Sequence, residues 1–369
     1  MKLLVLVGGG HAHVHVLAAL ATRPFADTQV TLISPYSRQI YSGMLPGWIA
    51  GYYAIEDCAL SLDALARRAG IRFVQTSCTA LDLEARQLGC ANGETIPFDY
   101  ASIDTGPIAN PGEPAGAAEH ALAIRPIEGF VAAWPGLLDR TRQTSHEFKL
   151  VIVGDGAAAI ELAFAVQTRF TAEGLSHARL TIVGGNHWPL AGFPFLLRHK
   201  AAKLLSEQGI AHAGNRRAVG LLPNHVQLED GSQLAADAVL LATGAAAPPW
   251  PAACGLATDE AGFIRVNPIL QSVSHPFVFA AGDVAAYADA RPKSGVFAVR
   301  AGPPLAANLR ANCEGLPMEP WQPQKRALYL LSTGRRHALA AWGGFSTSGA
   351  WVWRWKDGID RRFIAQFGS

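Results

Sequence analysis

Two stretches of the chain share one pattern of apolar and polar positions. Residues 3–7 and 150–153 are continuous apolar runs, and each is followed by a glycine-rich turn and an apolar helical repeat. An apolar run of this length is typical of a strand buried on both faces of a parallel sheet. A helix that begins directly after a glycine turn directs backbone N–H groups and the positive end of its dipole toward an anion. The pattern therefore predicts two units that each hold the pyrophosphate of a dinucleotide.

The two turns fit the dinucleotide-binding fingerprint G-x-G-x-x-G to different degrees. In the first copy, Gly8 and Gly10 fill the first two positions, whereas His13 stands at the third. The third glycine normally allows close packing of the helix on the strand, so this copy is the weaker match. Alanine is also allowed at the third position, and the second copy fills the three positions with Gly154, Gly156 and Ala159.

Each unit continues in the same order. A second predicted strand follows at residues 29–34 and 179–184, and each unit closes with a strand that ends on Thr-Gly, at residues 101–106 and 239–244. Elements repeated in one order indicate two dinucleotide-binding domains and hence two nucleotides in one protein. The predicted fold class is α/β, with two Rossmann-like domains of the three-layer ββα type, the second inserted in the first, and a small C-terminal α+β segment.

Composition and charge limit the kinds of function. The chain has 369 residues, of which 50% are hydrophobic and 16% charged, as expected of a globular chain with a large core. The formal net charge is +2 without a basic cluster, so nothing indicates nucleic-acid binding. No apolar stretch reaches the length of a membrane span, and the apolar start is too short for a signal peptide. The five cysteines contain no C-x-x-C pair, which favours a reducing, cytoplasmic location.

Three histidines, His11, His13 and His15, alternate along the first turn and helix. Imidazoles so close in sequence suggest a metal site, but this segment is already assigned to a nucleotide. No carboxylate stands nearby in sequence to complete a ligand set. We therefore predict no metal site.

The stretch after the second strand of the first unit differs from a common dinucleotide domain. The strand ends at Ser34-Pro35, where an acid usually binds the adenosine ribose, and a serine hydroxyl would bind it more weakly. The loop at 41–53 is apolar and aromatic, so it either covers a flat ring system or belongs to the core.

In the second unit, residues 184–189 offer neither an acid for a ribose diol nor an arginine for a 2′-phosphate, so the sequence does not decide between NADH and NADPH.

Two later segments also carry candidate chemistry. An apolar strand at 277–281 leads into Gly282-Asp283, where a carboxylate beside a bare backbone suits the hydroxyls of a polyol. A helix is predicted to begin at residues 293–296, and its dipole and Lys293 would lie near developing negative charge.

The C-terminal part, residues 328–367, is predicted to form a hairpin and a short helix. Trp351, Trp353 and Trp355 alternate, which predicts that they share one face of a strand. The apolar and aromatic residues of this segment either pack on the body, form the interface of a homodimer, or anchor the protein peripherally at the inner face of a membrane.

The chain resembles the FAD-dependent pyridine nucleotide-disulfide oxidoreductase family over nearly its full length. The duplicated fingerprint and the Ala-Ala-Gly-Asp segment at 280–283 carry this resemblance. The Gly-Gly-Gly-His-Ala-His-Val segment at 8–14, the Tyr-Ser-Gly-Met-Leu-Pro loop at 41–46 and the segment at 292–300 are similar to the branch found alone or fused to selenide, water dikinase. This branch is related to type II NADH dehydrogenases and sulfide:quinone reductases.

The resemblance implies two cofactors, FAD and NAD(P)H. It implies an FAD-binding domain at 1–115 and 260–312, an NAD(P)H-binding domain at 116–259 and a C-terminal segment at 313–369. The residues implied for FAD are Gly8, Gly10, His11, Ala12, Ser34, Pro35, Met44, Leu45, Pro46, Thr105, Gly106, Gly282, Asp283, Gly295 and Val296. Those implied for NAD(P)H are Gly154, Gly156, Ala159, Glu161, Thr243 and Gly244.

The resemblance also implies the reaction: NAD(P)H passes a hydride to the flavin, and the electrons continue to a quinone or another small molecule. Glu161 would lie near the nicotinamide and flavin, and Lys293 would stabilise negative charge on the reduced flavin. The chain lacks the cysteine pair of disulfide reductases, and Val296 and Arg300 replace the glutamines of type II dehydrogenases, so the acceptor stays open. Two alternatives remain: oxidation of sulfide or selenide with quinone as acceptor, and a flavin-bound accessory module for a selenium-pathway partner.

Overall fold

The first predicted unit forms a parallel sheet with helices and small antiparallel strands around it. The computed structural model describes residues 1–110 and 114–368. The elements up to the first Thr-Gly are β1 (Lys2–Val7), α1 (His11–Thr22), β2 (Thr28–Ser34), β3 (Arg38–Ile40), α2 (Leu45–Ile49), β4 (Ala59–Ser61), α3 (Leu62–Arg68), β5 (Arg72–Gln75), β6 (Cys78–Asp82), β7 (Gln87–Cys90), β8 (Thr95–Pro97) and β9 (Tyr100–Ile103). Strand β1 pairs in parallel with β2 and β9, and its last four residues are buried, as an apolar run in a covered parallel sheet requires.

The second unit repeats this arrangement. Its elements are β10 (Ile108–Ala109), α4 (Ala117–His120), β11 (Leu122–Ala123), α5 (Ile127–Gln143), β12 (Phe148–Val153), α6 (Ala157–Ala172), β13 (Ala178–Val183), α7 (Phe195–Glu207), β14 (Ala211–Ala213), β15 (Ala218–Leu222), β16 (His225–Leu228), β17 (Gln233–Ala235), β18 (Ala238–Leu241), β19 (Ala245–Ala246) and α8 (Trp250–Ala253). The strands of the second parallel sheet follow the order β11-β18-β12-β13-β14. Strand β12 lies between β18 and β13, just as β1 lies between β9 and β2 in the first sheet.

The chain then returns to the first sheet. The next elements are β20 (Ile264–Arg265), β21 (Val278–Ala280), β22 (Ala285–Ala286) and α9 (Gly295–Glu314). Strand β21 pairs in parallel with β9 and completes the order β21-β9-β1-β2-β5. In sequence, the second sheet thus lies between two segments of the first. The predicted class, α/β with a second Rossmann-like unit inserted in the first, is confirmed.

The C-terminal segment differs in detail from the prediction. It contains three antiparallel strands, β23 (Leu328–Ser332), β24 (Ala338–Trp342) and β25 (Phe345–Gly349), and the long helix α10 (Ala350–Gly368). The prediction that Trp351, Trp353 and Trp355 share a strand face is wrong, because all three lie in α10. The residues that α10 buries recur every three or four positions, and this helical period over the whole segment outweighs a short alternation of tryptophans.

The loop at 41–53 contributes mainly to the core of the second unit. Met44, Leu45 and Ile49 are buried in the hydrophobic cluster that surrounds α6 and the second sheet. Ser42 is partly exposed and faces a cavity of the first unit. The loop therefore connects the two units. Within residues 1–110 and 114–368, no helix combines the length and hydropathy needed to cross a membrane.

Candidate functional site

A cavity of about 340 Å³ opens at the carboxyl ends of β1, β2 and β9, where α1 begins. The glycine turn forms one wall. Gly8 has a φ of +95°, and a Cβ atom there would lie 2.5 Å from the carbonyl oxygen of Asp104. A Cβ atom on Gly10 would lie 2.3 Å from the carboxyl carbon of Asp104. Contacts with Asp104 therefore exclude a side chain at Gly8 and Gly10. Without side chains, the backbone of the turn stays open to a ligand.

Asp104 is a residue of this site that the sequence reasoning missed. Its buried carboxylate accepts hydrogen bonds from the backbone N–H groups of Ala12, at 2.8 Å, and His13, at 3.0 Å. Burial raises the pKa of Asp104 to about 7, although both hydrogen bonds oppose the shift. The N–H of Ala12, which was predicted to contact FAD, thus donates within the protein. A comparison of the two copies could have indicated Asp104, because the second copy has Ala242 at the equivalent position.

His13, the middle histidine of α1, forms hydrogen bonds within the protein. His13 is fully buried, with Nδ1 2.6 Å from the carbonyl oxygen of Gly8 and Nε2 2.8 Å from the hydroxyl of Ser102. Burial lowers the pKa of His13 to about 4, so the ring is neutral and Nδ1 donates to the carbonyl. These bonds tie helix to sheet at the position where the fingerprint expects glycine. Among the residues that the structure describes, no three His, Cys, Asp or Glu side chains are arranged to hold a metal ion.

The same cavity is also lined by Asp283 and Gly295, as well as by Arg125, which the sequence reasoning missed. Burial raises the pKa of Asp283, while the charges of Arg125 and Lys293 oppose the rise. The ammonium of Lys293 donates to the carbonyl oxygen of Ala285 at 2.6 Å and lies 3.8 Å from the centre of the Phe263 ring. Lys293 therefore contributes to this part of the cavity by placing its positive charge near the carboxylate of Asp283.

The end of β2 lines the same cavity with Ser34 and Pro35. An acid reaches this region from another element: Glu128, near the start of α5, forms two hydrogen bonds with Arg38, at 3.0 and 3.1 Å. Both side chains line the cavity, and the carboxylate of Glu128 contributes to raising the pKa of Tyr36. Helix α5 follows the first Thr-Gly in the chain, so the second unit contributes a wall to the first cavity.

A group of buried charges lies between α6, α10 and the loop at 41–53. Glu161, which was predicted to be catalytic, accepts a hydrogen bond from the backbone N–H of Ser332 at 2.7 Å. Burial raises the pKa of Glu161 to about 7, against the charge of Lys356. Lys356 donates to Asp360 at 2.7 Å and to the carbonyl oxygen of Gly43 at 2.5 Å. The sequence reasoning missed Lys356 and Asp360, because a strand was predicted where α10 begins.

A second cavity, of about 410 Å³, lies at the corresponding edge of the second sheet. Gly154 has a φ of +123°, and a Cβ atom there would lie 2.4 Å from the carbonyl oxygen of Ala242, which repeats the relationship between Gly8 and Asp104. A Cβ atom on Gly156 would meet no heavy atom within 4 Å among the residues described. Ala159 is fully buried in the core, as the third fingerprint position requires for close packing.

The structure divides the predicted cofactor residues into three groups. The first cavity is lined by Gly8, Gly10, His11, Ser34, Pro35, Thr105, Gly106, Asp283 and Gly295. The second cavity is lined by Gly154, Thr243 and Gly244. Outside both linings are Ala12, Met44, Leu45, Pro46, Gly156, Ala159, Gly282 and Val296.

Three of the five cysteines come together beside the first cavity, although their spacing in sequence did not indicate it. Cys78 and Cys90 are register partners on β6 and β7, and Cys254 Sγ accepts a hydrogen bond from the N–H of Leu81 at 3.3 Å. All five cysteines are free thiols. Burial raises the pKa of Cys78 to about 12, so its thiol is protonated and unreactive at neutral pH.

Similar proteins agree with this architecture. An NADH dehydrogenase-like protein of Mycobacterium tuberculosis is 26% identical over 240 residues, which cover 63% of this chain and 60% of that protein, so the chain spans about three fifths of its length. Demethylphylloquinone reductase of Synechocystis is 24% identical over 350 residues, 90% of this chain and 85% of the relative. The structure of NDH2 from Plasmodium falciparum in complex with NADH superposes with a TM-score of 0.82 at 14% identity and covers 100% of this chain and 99% of that one.

The family model for pyridine nucleotide-disulphide oxidoreductases matches residues 2–302. This range contains both glycine turns, both cavities and the return of the chain to the first sheet. The chain belongs to the pyridine nucleotide-disulphide oxidoreductase family.

Proposed function

We propose that this protein is an FAD-dependent oxidoreductase that accepts a hydride from NAD(P)H and passes the electrons to a quinone or another small acceptor. The duplicated glycine turn is the observation that carries the proposal. In each copy, the first glycine has a positive φ and touches the end of a neighbouring strand, so that no side chain fits. Each turn borders its own cavity. Family membership supports an oxidoreductase, and two glycine turns with two cavities support the binding of two nucleotides.

The residues around the first cavity fit FAD. The turn at Gly8 and Gly10 keeps the backbone open at the start of α1, where a pyrophosphate is favoured. Arg125 adds a positive charge to the same cavity. Asp283 carries the acceptor that a ribityl chain requires, next to Gly282. When bound, FAD would supply the chemistry that accepts a hydride and passes the electrons on.

The buried charges near α10 give the chain a group that can exchange protons. Glu161 has a pKa of about 7, so it is close to half protonated at neutral pH and can either accept or release a proton. Lys356 opposes the rise in this pKa and also holds the loop at Gly43. We assign Glu161 the role of proton carrier during electron transfer. Lys293 holds positive charge close to Asp283 and the start of α9.

A quinone acceptor is supported by the similarity to demethylphylloquinone reductase of Synechocystis. Many quinones dissolve in membranes, and the start of α10 offers a surface suited to a lipid interface. Trp351 and Trp355 stack with ring centres 6.3 Å apart and are 51% and 44% exposed. Tryptophans prefer the headgroup level of a bilayer. We propose that this pair makes peripheral contact with the membrane, and sedimentation with anionic vesicles should fall when both are changed to Ser.

Anaerobic absorption spectroscopy tests the proposed function. The purified protein, or the apoprotein after incubation with FAD, should show a flavin spectrum. NADH or NADPH should bleach its visible band within a stopped-flow mixing experiment, and a short-chain quinone should then restore it. A protein that stays colourless in excess FAD, or whose flavin neither nicotinamide reduces, contradicts the proposal.

The same experiment separates the alternative reactions. Bleaching by sulfide or selenide, but not by NADH or NADPH, would support oxidation of a reduced sulfur or selenium compound instead. Bleaching by a nicotinamide that is followed by no steady-state turnover with any quinone would support an accessory module. Glu207→Gln is a suitable control variant for changes at Glu161, because the Glu207 side chain lies exposed on α7 and pairs with Lys203 at 3.7 Å.

A further inference from the structure

The second cavity contains the position that distinguishes NADH from NADPH. In Rossmann domains, the end of the second strand faces the adenosine ribose: an acid there binds the 2′-hydroxyl of NADH, and a nearby arginine accommodates the 2′-phosphate of NADPH. Here the second strand is β13, and it ends at Val183 before Gly184 and Gly185, both of which line the cavity. The strand end therefore presents bare backbone, with no acid to bind a diol.

Asp155 is the acid that lines this cavity, but its carboxylate is engaged within the protein. One oxygen accepts the backbone N–H of Asn186 at 3.0 Å, and both oxygens lie 3.1 Å from the side-chain amide of Asn186. The carboxylate also packs against the strand end, because a Cβ atom on Gly184 would lie 2.2 Å from it. Asp155 thus fastens the turn to the residues after β13 and does not replace the acid that binds a ribose diol.

Two arginines occupy the region that this acid would face. Arg216 and Arg217 line the cavity, and both side chains are exposed. The Nε of Arg217 is 4.0 Å from the position of a Cβ atom on Gly185. The backbone N–H of Arg216 donates to the carbonyl oxygen of Gly184 at 3.0 Å, so the arginine segment is fixed to the strand end.

The charges of these arginines are available to a ligand. In the described part of the chain, no carboxylate lies within ion-pair distance of the Arg217 guanidinium; Glu229 accepts only its backbone N–H, at 3.2 Å. Arg216 pairs with Asp230 at 3.8 Å, and both of these side chains are about half exposed, so the pair is weak. A guanidinium binds phosphate with two parallel hydrogen bonds and keeps its charge at any physiological pH.

We propose that Arg216 and Arg217 bind the 2′-phosphate of NADPH and that the protein prefers NADPH to NADH. This inference rests on the proposed function, in which the second cavity holds a nicotinamide nucleotide. Charge-assisted hydrogen bonds to one phosphate favour the phosphorylated nucleotide by about tenfold or more. The absence of a ribose-binding acid after β13 removes the repulsion that such an acid would exert on the same phosphate.

Calorimetric titration with a pair of adenosine fragments tests the inference without relying on turnover. The fragments are 2′,5′-ADP and 5′-AMP, which differ only in the 2′-phosphate. The wild type should bind 2′,5′-ADP at least ~10-fold more tightly than 5′-AMP, and the difference should shrink with rising salt. Arg217→Gln should weaken binding of 2′,5′-ADP by about tenfold and leave 5′-AMP unchanged. Arg216→Gln should act in the same direction.

Arg179→Gln is the matched control. Arg179 is an exposed arginine near the opposite end of β13 and pairs with Glu147 at 3.3 Å, so its loss should alter neither affinity. Equal binding of the two fragments by the wild type, or an unchanged preference in Arg217→Gln, overturns the inference and leaves the proposed function intact. Failure of NADH, NADPH and both fragments to bind overturns the proposed function as well.

Discussion

The ammonium of Lys356 and the carboxylate of Asp360 lie 2.7 Å apart, one turn from each other on α10, with side chains only 11% and 7% exposed. Lys356 also donates to the carbonyl oxygen of Gly43, and the charge of Asp360 contributes to raising the pKa of Tyr41. The pair therefore joins the last helix to the loop that connects the two units. Glu161 lies close enough for the charge of Lys356 to lower its pKa.

Removing one member of this pair should destabilise the protein strongly. Lys356→Met leaves Asp360 buried without its counter-charge, and we expect the free energy of unfolding to fall by about 3 kcal/mol or more. Replacing both charges in Lys356→Met/Asp360→Leu should cost less than the single change, because Asp360 is then not left without its counter-charge, while Glu161 loses the charge of Lys356 in both variants. Urea unfolding of the three proteins measures the difference. A double variant that is less stable than Lys356→Met would contradict this account.

Glu161 should set the pH dependence of electron transfer. Because its pKa is about 7, the fraction of ionised Glu161 changes most between about pH 6 and pH 8. Glu161→Gln should lower the rate of reduction or reoxidation by about 100-fold and flatten the profile over this interval. Stopped-flow measurements across the pH range, with Glu207→Gln as control, would show the change. If Glu161→Gln retains both the rate and the profile, Glu161 is not the proton carrier.

Two glycines of the second turn should respond differently to alanine. Gly154→Ala places a Cβ atom 2.4 Å from the carbonyl oxygen of Ala242 at a φ of +123°, so folding should be weakened by about 2 kcal/mol or more. Gly156→Ala has open space and a φ of −78°, and its stability should change by about 1 kcal/mol or less. Gly156→Ala should nevertheless bind nicotinamide nucleotides more weakly, because the added methyl group blocks their approach. Urea unfolding and nucleotide titration separate the two effects; normal binding by Gly156→Ala would show that this glycine does not face the ligand.

Asp104 should make the apoprotein less stable as pH rises. Its pKa is about 7 in the folded protein and near 3.8 in the unfolded chain, so the folded state retains a proton that the unfolded state releases. Stability is then lost progressively between about pH 4 and pH 7. Asp104→Asn keeps an oxygen that can accept the hydrogen bonds of Ala12 and His13 and removes this loss. At pH 8 it should exceed the wild type in stability by up to about 4 kcal/mol.

Unfolding in urea at pH 5 and pH 8 provides the measurement for Asp104→Asn. The pKa of Glu161 is also raised in the folded protein, so Glu161 adds a pH dependence of the same sign. The difference in pH dependence between wild type and Asp104→Asn therefore reports on Asp104. Asp99→Asn is the control, since Asp99 also accepts a backbone N–H, from Leu3 at 2.7 Å. Equal pH dependence of wild type and Asp104→Asn would mean that Asp104 is ionised in the folded protein throughout this range.

The sequence predicted the parts of the site that depend on local chemistry. A buried strand, a glycine turn and a helix start follow one another directly in sequence, so the turns at Gly8 and Gly154 were recognisable in each copy. The order of repeated elements then predicted two sheets and the return to the first, which the structure confirms through the pairing of β21 with β9.

The missed residues reach the site from distant parts of the chain. Arg217 comes to the end of β13 through the pairing of β13 with β14, and Glu128 faces the first cavity from α5. Lys356 lies on a segment whose tryptophans alternate as in a strand, although the buried positions follow a helical period. In each case, the contact is fixed by packing between elements, and no spacing in the sequence records it.

The hydrogen bond between Lys356 and Gly43 has a consequence for how the protein is made. The two residues are 313 positions apart, so a ribosome must add nearly the whole intervening chain after Gly43 has emerged. The sheet around β1 can begin to form earlier, but the loop at 41–53 stays without this fastening until α10 is synthesised. A nascent chain stalled before α10 should therefore contain both glycine turns and hold the loop through α6, where Arg169 donates to the carbonyl oxygens of Trp48 and Ile49.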